Sequence, residues 1–259
     1  MRIIRFSVFL IIAVFALLTG VTNLEAEDLG PNLGLVGSYN TDGYAYNVAI
    51  SGNYAYVADE SRGLVILDIE DPTNPTFTGS YDTVGYAYDV AISTFGNYAY
   101  IADGGGGLVI LNIDDPENLT FVGSYDTEGS ARGLVISGNY AYLAANYDGL
   151  VILDIANPAN PTFAGNYETG SWSKAVTISG DYVYIADGSD GIIILNIEDP
   201  VNPTFVGSYD TAGNAYYVAI SGNYAYVADL NNGLVILNIE DPANPTFTGS
   251  YDTSGYTYD

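Results

Sequence analysis

Hydrophobic and polar positions recur with a period of 42 residues from Gly37 onward. Each period contains four runs rich in Val, Ile and Tyr, a composition that favours β-strands. In the first repeat these runs are Tyr44–Ser51, Tyr54–Asp59, Leu64–Ile69 and Thr76–Tyr81. Ser-Gly-Asn, an Asp-to-Gly loop and an Asp-Pro-x-Asn-Pro turn separate them, and glycine and proline both favour tight turns. Because no helical period appears beyond the N-terminal segment, the sequence predicts an all-β protein.

The third run of each repeat is apolar at consecutive positions, as in Leu-Val-Ile-Leu-Asp-Ile over Leu64–Ile69. A strand of this composition must be covered on both faces. The middle strand of a four-stranded sheet that lies between two similar sheets meets this requirement, and such sheets are the blades of a β-propeller. A β-sandwich would show more alternation of apolar and polar residues, and a β-helix usually has shorter rungs. The pattern therefore predicts a β-propeller of four-stranded blades.

Five complete repeats of 42–44 residues follow one another, over 37–78, 79–122, 123–164, 165–206 and 207–248. The second repeat is longer by Thr94-Phe95, and a partial sixth covers 249–259. We expect one propeller domain over residues 33–259, in which Leu33–Gly37 is the outer strand of a partial closing blade and Gly255–Asp259 begins its inner strand. Because the two middle strands of that blade are missing, we expect a truncated sequence whose full form has at least six blades. A natural open arc and a five-bladed ring with loose tails are the alternatives.

The repeated motifs resemble a known family. Tyr-Ala-Tyr-Val-Ala-Asp (54–59), Leu-Val-Ile-Leu-Asp (64–68) and the Asp-Pro-x-Asn-Pro turn that follows are similar to the LVIVD-repeat propellers of bacterial and archaeal surface proteins. The resemblance covers residues 33–259 and implies a propeller, an extracellular setting and an interaction role, without supplying catalytic residues. Two positions depart from the pattern: Leu119 replaces the second proline of the turn, and Ala145 replaces the aspartate that ends the second run.

The first 26 residues differ in composition from the rest of the chain. Arg2 and Arg5 precede the apolar run Phe6–Val21, and Leu24-Glu25-Ala26 places a small residue at the cleavage position. This order predicts a Sec-type signal peptide over residues 1–26 and a linker over 27–32. The protein is therefore expected to be extracellular or attached to the cell surface, and not transmembrane after cleavage. An uncleaved N-terminal anchor is the alternative, although the apolar run is short for a membrane span.

The amino-acid composition excludes several classes of function. The chain has neither histidine nor cysteine, which excludes Ser-His catalysis, thiolate nucleophiles, disulfides and the usual zinc and copper sites. Its formal net charge of −26 repels nucleic acid and anionic membranes, so we expect a protein or a carbohydrate at the cell surface as partner. Acidic residues recur once per repeat, as a scaffold would place them, and no acidic pair breaks the repeat as a catalytic pair should.

The aspartates that end the second run are candidate metal ligands. Asp59, Asp103, Asp187 and Asp229 would share one face of a propeller with the loops that join the blades, where clustered carboxylates would suit calcium. No EF-hand spacing supports such a site, and aspartate before a glycine-containing turn commonly binds the backbone of the turn instead. We therefore expect no obligatory cofactor and leave Ca²⁺ as an open alternative.

Two positions vary while the rest of the repeat is nearly constant. They are the eighth and the tenth residue, at the start of the first run. In the six successive repeats they read Tyr44/Tyr46, Tyr86/Tyr88, Ser130/Arg132, Trp172/Lys174, Asn214/Tyr216 and Tyr256/Tyr258. Residues two apart on a strand share a face, and inner strands of adjacent blades are neighbours. The only tryptophan of the chain therefore lies close to two of its few basic residues.

Ser130, Arg132, Trp172 and Lys174 are thus predicted to form a ligand site. The indole would offer a stacking face and the guanidinium a bidentate fork, which suits an acidic sugar or a carboxylate. In the alternative interpretation, both cations simply pair with nearby acids such as Asp126 and Glu168. The sequence as a whole favours a non-catalytic binding or adhesion module. A propeller-based enzyme acting on polysaccharide, and a structural spacer in a larger surface protein, remain the alternatives.

Overall fold

A computed structural model describes residues 34–93, 97–230, 232–253 and 257. Within these residues the chain forms twenty β-strands in five four-stranded antiparallel sheets, and no helix is present in them. The all-β prediction is confirmed. The predicted signal peptide, the linker and the Thr94-Phe95 insertion lie outside the described residues. No helix in the described part of the chain is long and apolar enough to cross a membrane.

Each sheet contains the four strands of one sequence repeat in chain order, and we number these sheets as blades 1 to 5. Blade 1 consists of β1 (Asn47–Ser51), β2 (Tyr54–Ala58), β3 (Leu64–Asp68) and β4 (Thr76–Tyr81). Blade 2 consists of β5 (Asp89–Ile92), β6 (Tyr98–Ala102), β7 (Leu108–Asn112) and β8 (Thr120–Tyr125). Blade 3 consists of β9 (Gly133–Ser137), β10 (Tyr140–Ala144), β11 (Leu150–Asp154) and β12 (Thr162–Tyr167).

The last two blades repeat the same order. Blade 4 consists of β13 (Ala175–Ser179), β14 (Tyr182–Ala186), β15 (Ile192–Asn196) and β16 (Thr204–Tyr209). Blade 5 consists of β17 (Tyr217–Ser221), β18 (Tyr224–Ala228), β19 (Leu234–Asn238) and β20 (Thr246–Tyr251). Successive four-stranded antiparallel meanders of this kind are the blades of a β-propeller, so the predicted fold class is confirmed.

The third strand of a blade carries most of its core. In β3 the side chains from Leu64 to Leu67 are buried at four consecutive positions, and β7, β11 and β15 show the same pattern. Both faces of these strands are therefore covered, as their unbroken apolar sequence predicted. Burying a Leu or Ile side chain stabilises the fold by about 1.5–3 kcal/mol. In β19 burial alternates instead, and Leu234 and Ile236 are only half-buried.

The described chain divides into two compact units. Unit 1 comprises the described residues up to Asp103 together with Val109–Val122, and unit 2 comprises Gly104–Leu108 and the residues from Gly123 onward. In unit 1, Leu64 and Ile66 of blade 1 pack with Ile101 of blade 2. Unit 2 has two equivalent clusters, one between blades 3 and 4 and one between blades 4 and 5.

The segment before blade 1 does not form the expected strand. Residues 34–37 of the predicted outer strand Leu33–Gly37 have no strand conformation. A strand needs a neighbouring strand to receive its backbone hydrogen bonds, and each described sheet already contains its own four strands. At the other end, Thr257 forms an isolated bridge with Leu230, and the remaining residues of the predicted inner strand Gly255–Asp259 lie outside the described part.

Candidate functional site

The tenth residue of each of the five complete repeats occupies the same backbone position immediately before the inner strand. In unit 2 the backbone N–H groups of Arg132, Lys174 and Tyr216 each donate to the carbonyl oxygen of the alanine that ends the second strand of their blade, over 2.8 Å. A bridge between Asn146 and Ser173 ties the second-to-third strand loop of blade 3 to the segment that carries Trp172 and Lys174. The fold thus presents the variable side chains in register.

Lys174 is buried among aromatic rings. Its side chain is only 9 % exposed, and its Nζ lies 4.3 Å from the ring centroid of Trp172 and 5.5 Å from that of Tyr216. Trp172 is 44 % exposed and meets Tyr147 in an edge-to-face contact with the centroids 5.1 Å apart. We call Tyr147, Trp172 and Tyr216 the aromatic box. It leaves part of one indole open to solvent beside a buried ammonium group.

Arg132 brings a second positive charge to the same place. Burial and, to a lesser extent, the positive charge of the nearby Arg132 lower the pKa of Lys174 from 10.5 to about 8. We call these two residues the cation pair. A Cβ on Gly133 would meet the backbone carbonyl of Lys174, so the chain segments that carry the two cations lie side by side. The like charge of Arg132 therefore disfavours the protonated form of Lys174.

The structure does not show the pairing with acids that the sequence left open for Lys174. The two suggested acids, Asp126 and Glu168, are exposed, and no carboxylate contributes to the pKa shift of Lys174. Within the described residues Lys174 forms no salt bridge. Ser130 is half-buried two residues before Arg132, and among the described residues it makes no hydrogen bond to Trp172 or Lys174. The structure therefore brings Lys174 together with Trp172 and Arg132, and no hydrogen bond in the described part of the chain joins Ser130 to Trp172 or Lys174.

Two members of the aromatic box were not among the predicted site residues. Tyr216 occupies the tenth position of its repeat, so the variation that singled out Arg132 and Lys174 includes it. Tyr147 lies in the Asp-to-Gly loop, where blades 1, 2 and 4 have the small residues Ser61, Gly105 and Ser189. A large aromatic residue at a position held elsewhere by small residues was the signal that could have found it.

The four candidate metal ligands are fully buried and serve their own blades. Each accepts a hydrogen bond from the hydroxyl group of a threonine 18 or 20 residues earlier, through the pairs Thr41–Asp59, Thr83–Asp103, Thr169–Asp187 and Thr211–Asp229. Burial raises the pKa of Asp59 to about 6 and also raises the pKa of Asp103 and of Asp187. Through these hydrogen bonds the aspartates connect the loops of a blade. Within the described residues no three acidic side chains gather as metal ligands.

Blade 3 replaces this aspartate in an unexpected way. Ala145 stands at the aspartate position, yet the carboxylate of Asp148 reaches the space beside Gly129. Asp59 and Asp229 fill the equivalent space beside Gly43 and Gly213. A carboxylate three residues later thus occupies the vacated place. The hydroxyl group of Thr127 donates to the carbonyl oxygen of Gly129 instead of to a carboxylate.

Comparison with solved structures supports the fold. A β-propeller domain of Cps50 (Swd1) from Myceliophteria thermophila is similar over 86 % of this chain and 77 % of its own, with a TM-score of 0.70 and 12 % identity. A functionally unknown protein from Desulfotomaculum acetoxidans matches 84 % of this chain and 73 % of its own, with a TM-score of 0.66 and 15 % identity. The computationally designed Ika8 protein matches 87 % of this chain and 67 % of its own, with a TM-score of 0.65 and 12 % identity. At these identities the likeness concerns the fold alone.

Sequence comparison identifies the repeat itself. No curated protein matches the chain. The LVIVD repeat matches five times in succession, over residues 42–83, 84–127, 128–169, 172–211 and 212–253. These matches coincide with the five blades, offset by a few residues from the repeats defined by Gly-Ser-Tyr, and they bear out the resemblance noted in the sequence. The chain belongs to the LVIVD repeat family.

Proposed function

We propose that this β-propeller is a non-catalytic binding module, secreted or held at the cell surface, and that it binds acidic sugars or other carboxylates at the cation pair. The observation that carries the proposal is the position of Lys174. This buried cation lies beside a second cation and has no salt-bridge partner in the described part of the chain. A bound carboxylate would neutralise the repulsion between the two, and the guanidinium of Arg132 can hold it with two parallel hydrogen bonds.

The surrounding charge makes this arrangement selective. A chain with a formal net charge of −26 repels anions from most of its surface. Only a ligand that reaches the cation pair finds a favourable electrostatic environment there. The exposed part of Trp172 offers an apolar face to the sugar ring or hydrocarbon part of such a ligand. We therefore expect binding that depends on a single carboxylate group and weakens as salt screens the interaction.

Tryptophan fluorescence tests the proposal directly, because Trp172 is the only indole in the chain. Titration with oligogalacturonate should shift the emission of the wild-type protein, and titration with the neutral galactose oligomer of the same length should not. The double variant Arg132→Ala, Lys174→Ala should lose the response. Arg62→Ala provides the matched control, since Arg62 is a basic residue of unit 1 and lines a polar cavity with Asp42 and Asp82. An unchanged wild-type spectrum across a broad panel of acidic sugars and carboxylates would overturn the proposal.

The location is tested separately. If residues 1–26 are a cleaved signal peptide, the protein recovered from the exterior of its cell should begin at Glu27. Mass spectrometry of the intact mature protein reads this directly. Recovery of the full-length chain from the cytoplasm alone would contradict a secreted or surface location.

A further inference from the structure

Lys174 is the only lysine in the chain, and it lies beside the only tryptophan. A single lysine in a protein of this length would ordinarily lie on the surface, where its charge is solvated. Here the side chain is buried between Trp172 and Tyr216, and the second cation Arg132 lies nearby. Solubility and surface charge do not account for an amine placed in this way.

We propose that Lys174 captures 2-oxo carboxylates through a reversible Schiff base, with Arg132 binding the carboxylate and the aromatic box enclosing the adduct. The inference rests on the proposed function, because it uses the same carboxylate site. It goes beyond that function in making the contact covalent. It also names the ligand class, which consists of small acids or acidic sugars with a carbonyl group next to the carboxylate.

Two features of the geometry activate the amine. Apolar ring walls remove water from the ammonium group, and a neighbouring cation repels its charge; both conditions favour the neutral, nucleophilic form of a lysine. The shift of the pKa to about 8 agrees with this geometry. At pH 8 about half of such an amine is neutral, against less than about 1 % of an ordinary exposed lysine.

The reaction needs no oxidant and no reductant. The ammonium group of Lys174 first gives a proton to solvent, and the nitrogen lone pair then attacks the ketone carbon at C2 of the ligand. The electron pair of the C=O π-bond moves to the oxygen, which takes up a proton and gives a carbinolamine. Loss of that hydroxyl group as water forms the C=N bond. One carbonyl oxygen leaves as one water molecule, and hydrolysis returns the ligand unchanged.

The two cations are neighbours, and this favours a 2-oxo acid as the ligand. In such a ligand the carboxylate carbon and the electrophilic carbon are directly bonded, so neighbouring basic groups can bind one and attack the other. An aldehyde or ketone without the carboxylate would lack the contact with Arg132. A carboxylate without the carbonyl group would bind and remain unmodified. These three ligand types therefore separate the covalent step from the binding step.

Reductive trapping tests the inference on the full mature protein. The protein is incubated at pH 8 with pyruvate or acetone and sodium cyanoborohydride, and adducts are located by peptide mass spectrometry. We expect a single reduced pyruvate adduct on Lys174. The preference for pyruvate over acetone should exceed that of Nα-acetyl-lysine by about tenfold or more, because Arg132 contributes a charge-assisted contact. Any labelling of the N-terminal amine appears on a different peptide and serves as an internal reference.

Two variants provide the matched controls. Lys174→Arg keeps the positive charge and removes the nucleophile, so it should form no adduct at this position while circular dichroism shows an unchanged fold. Arg132→Gln keeps the amine and should lose the extra preference for pyruvate. Equal selectivity in the wild type and in Arg132→Gln would overturn the role assigned to Arg132. The absence of a Lys174 adduct in the wild type would overturn the covalent step.

Lactate distinguishes failure of this inference from failure of the proposed function, because it has the carboxylate of pyruvate without its ketone. If lactate shifts the emission of Trp172 and pyruvate leaves no trapped adduct, the carboxylate site stands and the Schiff base is rejected. If neither lactate nor pyruvate changes the emission and no adduct forms, the carboxylate assignment fails as well. A lactate response together with a Lys174 adduct from pyruvate supports both.

Discussion

Units 1 and 2 present the same backbone position with opposite chemistry. In unit 1 the eighth and tenth residues of both repeats are tyrosines, and the rings of Tyr46 and Tyr88 meet edge to face with their centroids 4.9 Å apart. In unit 2 the equivalent contact joins Lys174 to Trp172 and Tyr216, with Arg132 nearby. In unit 1 two neutral rings pack against each other, whereas in unit 2 the positive charges of Lys174 and Arg132 repel.

The backbone does not explain the difference. The N–H groups of Tyr46 and Tyr88 donate to the alanines that end β2 and β6 over 2.8 and 2.9 Å, as their counterparts do in unit 2. The buried third strands of the two units also share one burial pattern. The scaffold does not require a buried lysine at this position, because unit 1 has a tyrosine there, and this difference is the reason for placing the proposed site in unit 2.

The largest predicted effect concerns the scaffold that the two units share. Gly191 has a φ of +75°, and a Cβ there would collide with the backbone carbonyl of Tyr209. Gly191→Ala should therefore lower the free energy of unfolding by roughly 3–5 kcal/mol. Gly180 also has a positive φ but has open space around it, so Gly180→Ala should cost only about 1–2 kcal/mol.

The same pair of substitutions can be made in unit 1. Gly63 would collide with the carbonyl of Tyr81, whereas Gly52 has open space around it. Urea unfolding of the four variants should give a large loss for Gly191 and Gly63 and a small loss for Gly180 and Gly52. If Gly191→Ala and Gly180→Ala lose equal stability, or Gly63→Ala and Gly52→Ala do, then close contact around the Cβ does not determine the loss of stability. A difference between units would show that the scaffold is not uniform.

The second prediction concerns the buried carboxylates. Thr83→Val removes the hydroxyl group that donates to Asp103, and we expect a loss of about 2 kcal/mol because a buried charged acceptor loses its donor. Thr127→Val removes a bond to the carbonyl oxygen of Gly129, an uncharged acceptor, and should cost about 1 kcal/mol. Denaturant unfolding compares the two directly. A larger loss for Thr127→Val would contradict the view that the bond to a buried carboxylate is the stronger of the two.

Most of the fold was predictable from the sequence, because every repeat has the same pattern of strand-like runs and turns. The apolar run from Leu64 to Ile69, its turns and its spacing recur five times, so a chance pattern is excluded. Residues 34–37 of the predicted outer strand Leu33–Gly37 form no strand, because the composition of a segment does not supply the neighbouring strand that its hydrogen bonds require. Local sequence gives the tendency to form a strand, and the partner has to come from elsewhere.

The site was predictable only in part. Variation among the repeats pointed to Arg132, Trp172 and Lys174, because packing positions are constant in this chain. Tyr147 comes from a loop of the preceding blade, and the contact between Tyr147 and Trp172 depends on how two blades pack. The role of Asp148 was also not predictable. The sequence shows that blade 3 lacks an aspartate at position 145, but it does not show that the carboxylate of Asp148 reaches the vacated space.

The smallest predicted effect is a change in stability on substitution by methionine. Its sign should differ between the two units, so it tests the comparison between them most sharply. Lys174→Met replaces a buried cation that lies beside Arg132 with an apolar side chain of similar length, and we expect it to stabilise the protein by about 1 kcal/mol at pH 7. Tyr88→Met removes the ring contacts with Tyr46 and Tyr86, and it should destabilise by about 1 kcal/mol. Thermal or urea unfolding of the two variants measures both signs.

The pH dependence identifies the cause of the gain from Lys174→Met. The pKa of Lys174 is lower in the folded protein, about 8, than in the unfolded chain, near 10.5. Between these values the unfolded chain binds more protons, so this group makes the wild type more stable as the pH rises. The advantage of Lys174→Met should therefore be full below pH 8 and should shrink towards pH 10.5. A pH-independent gain from Lys174→Met would assign the effect to packing and remove the electrostatic distinction between the two units.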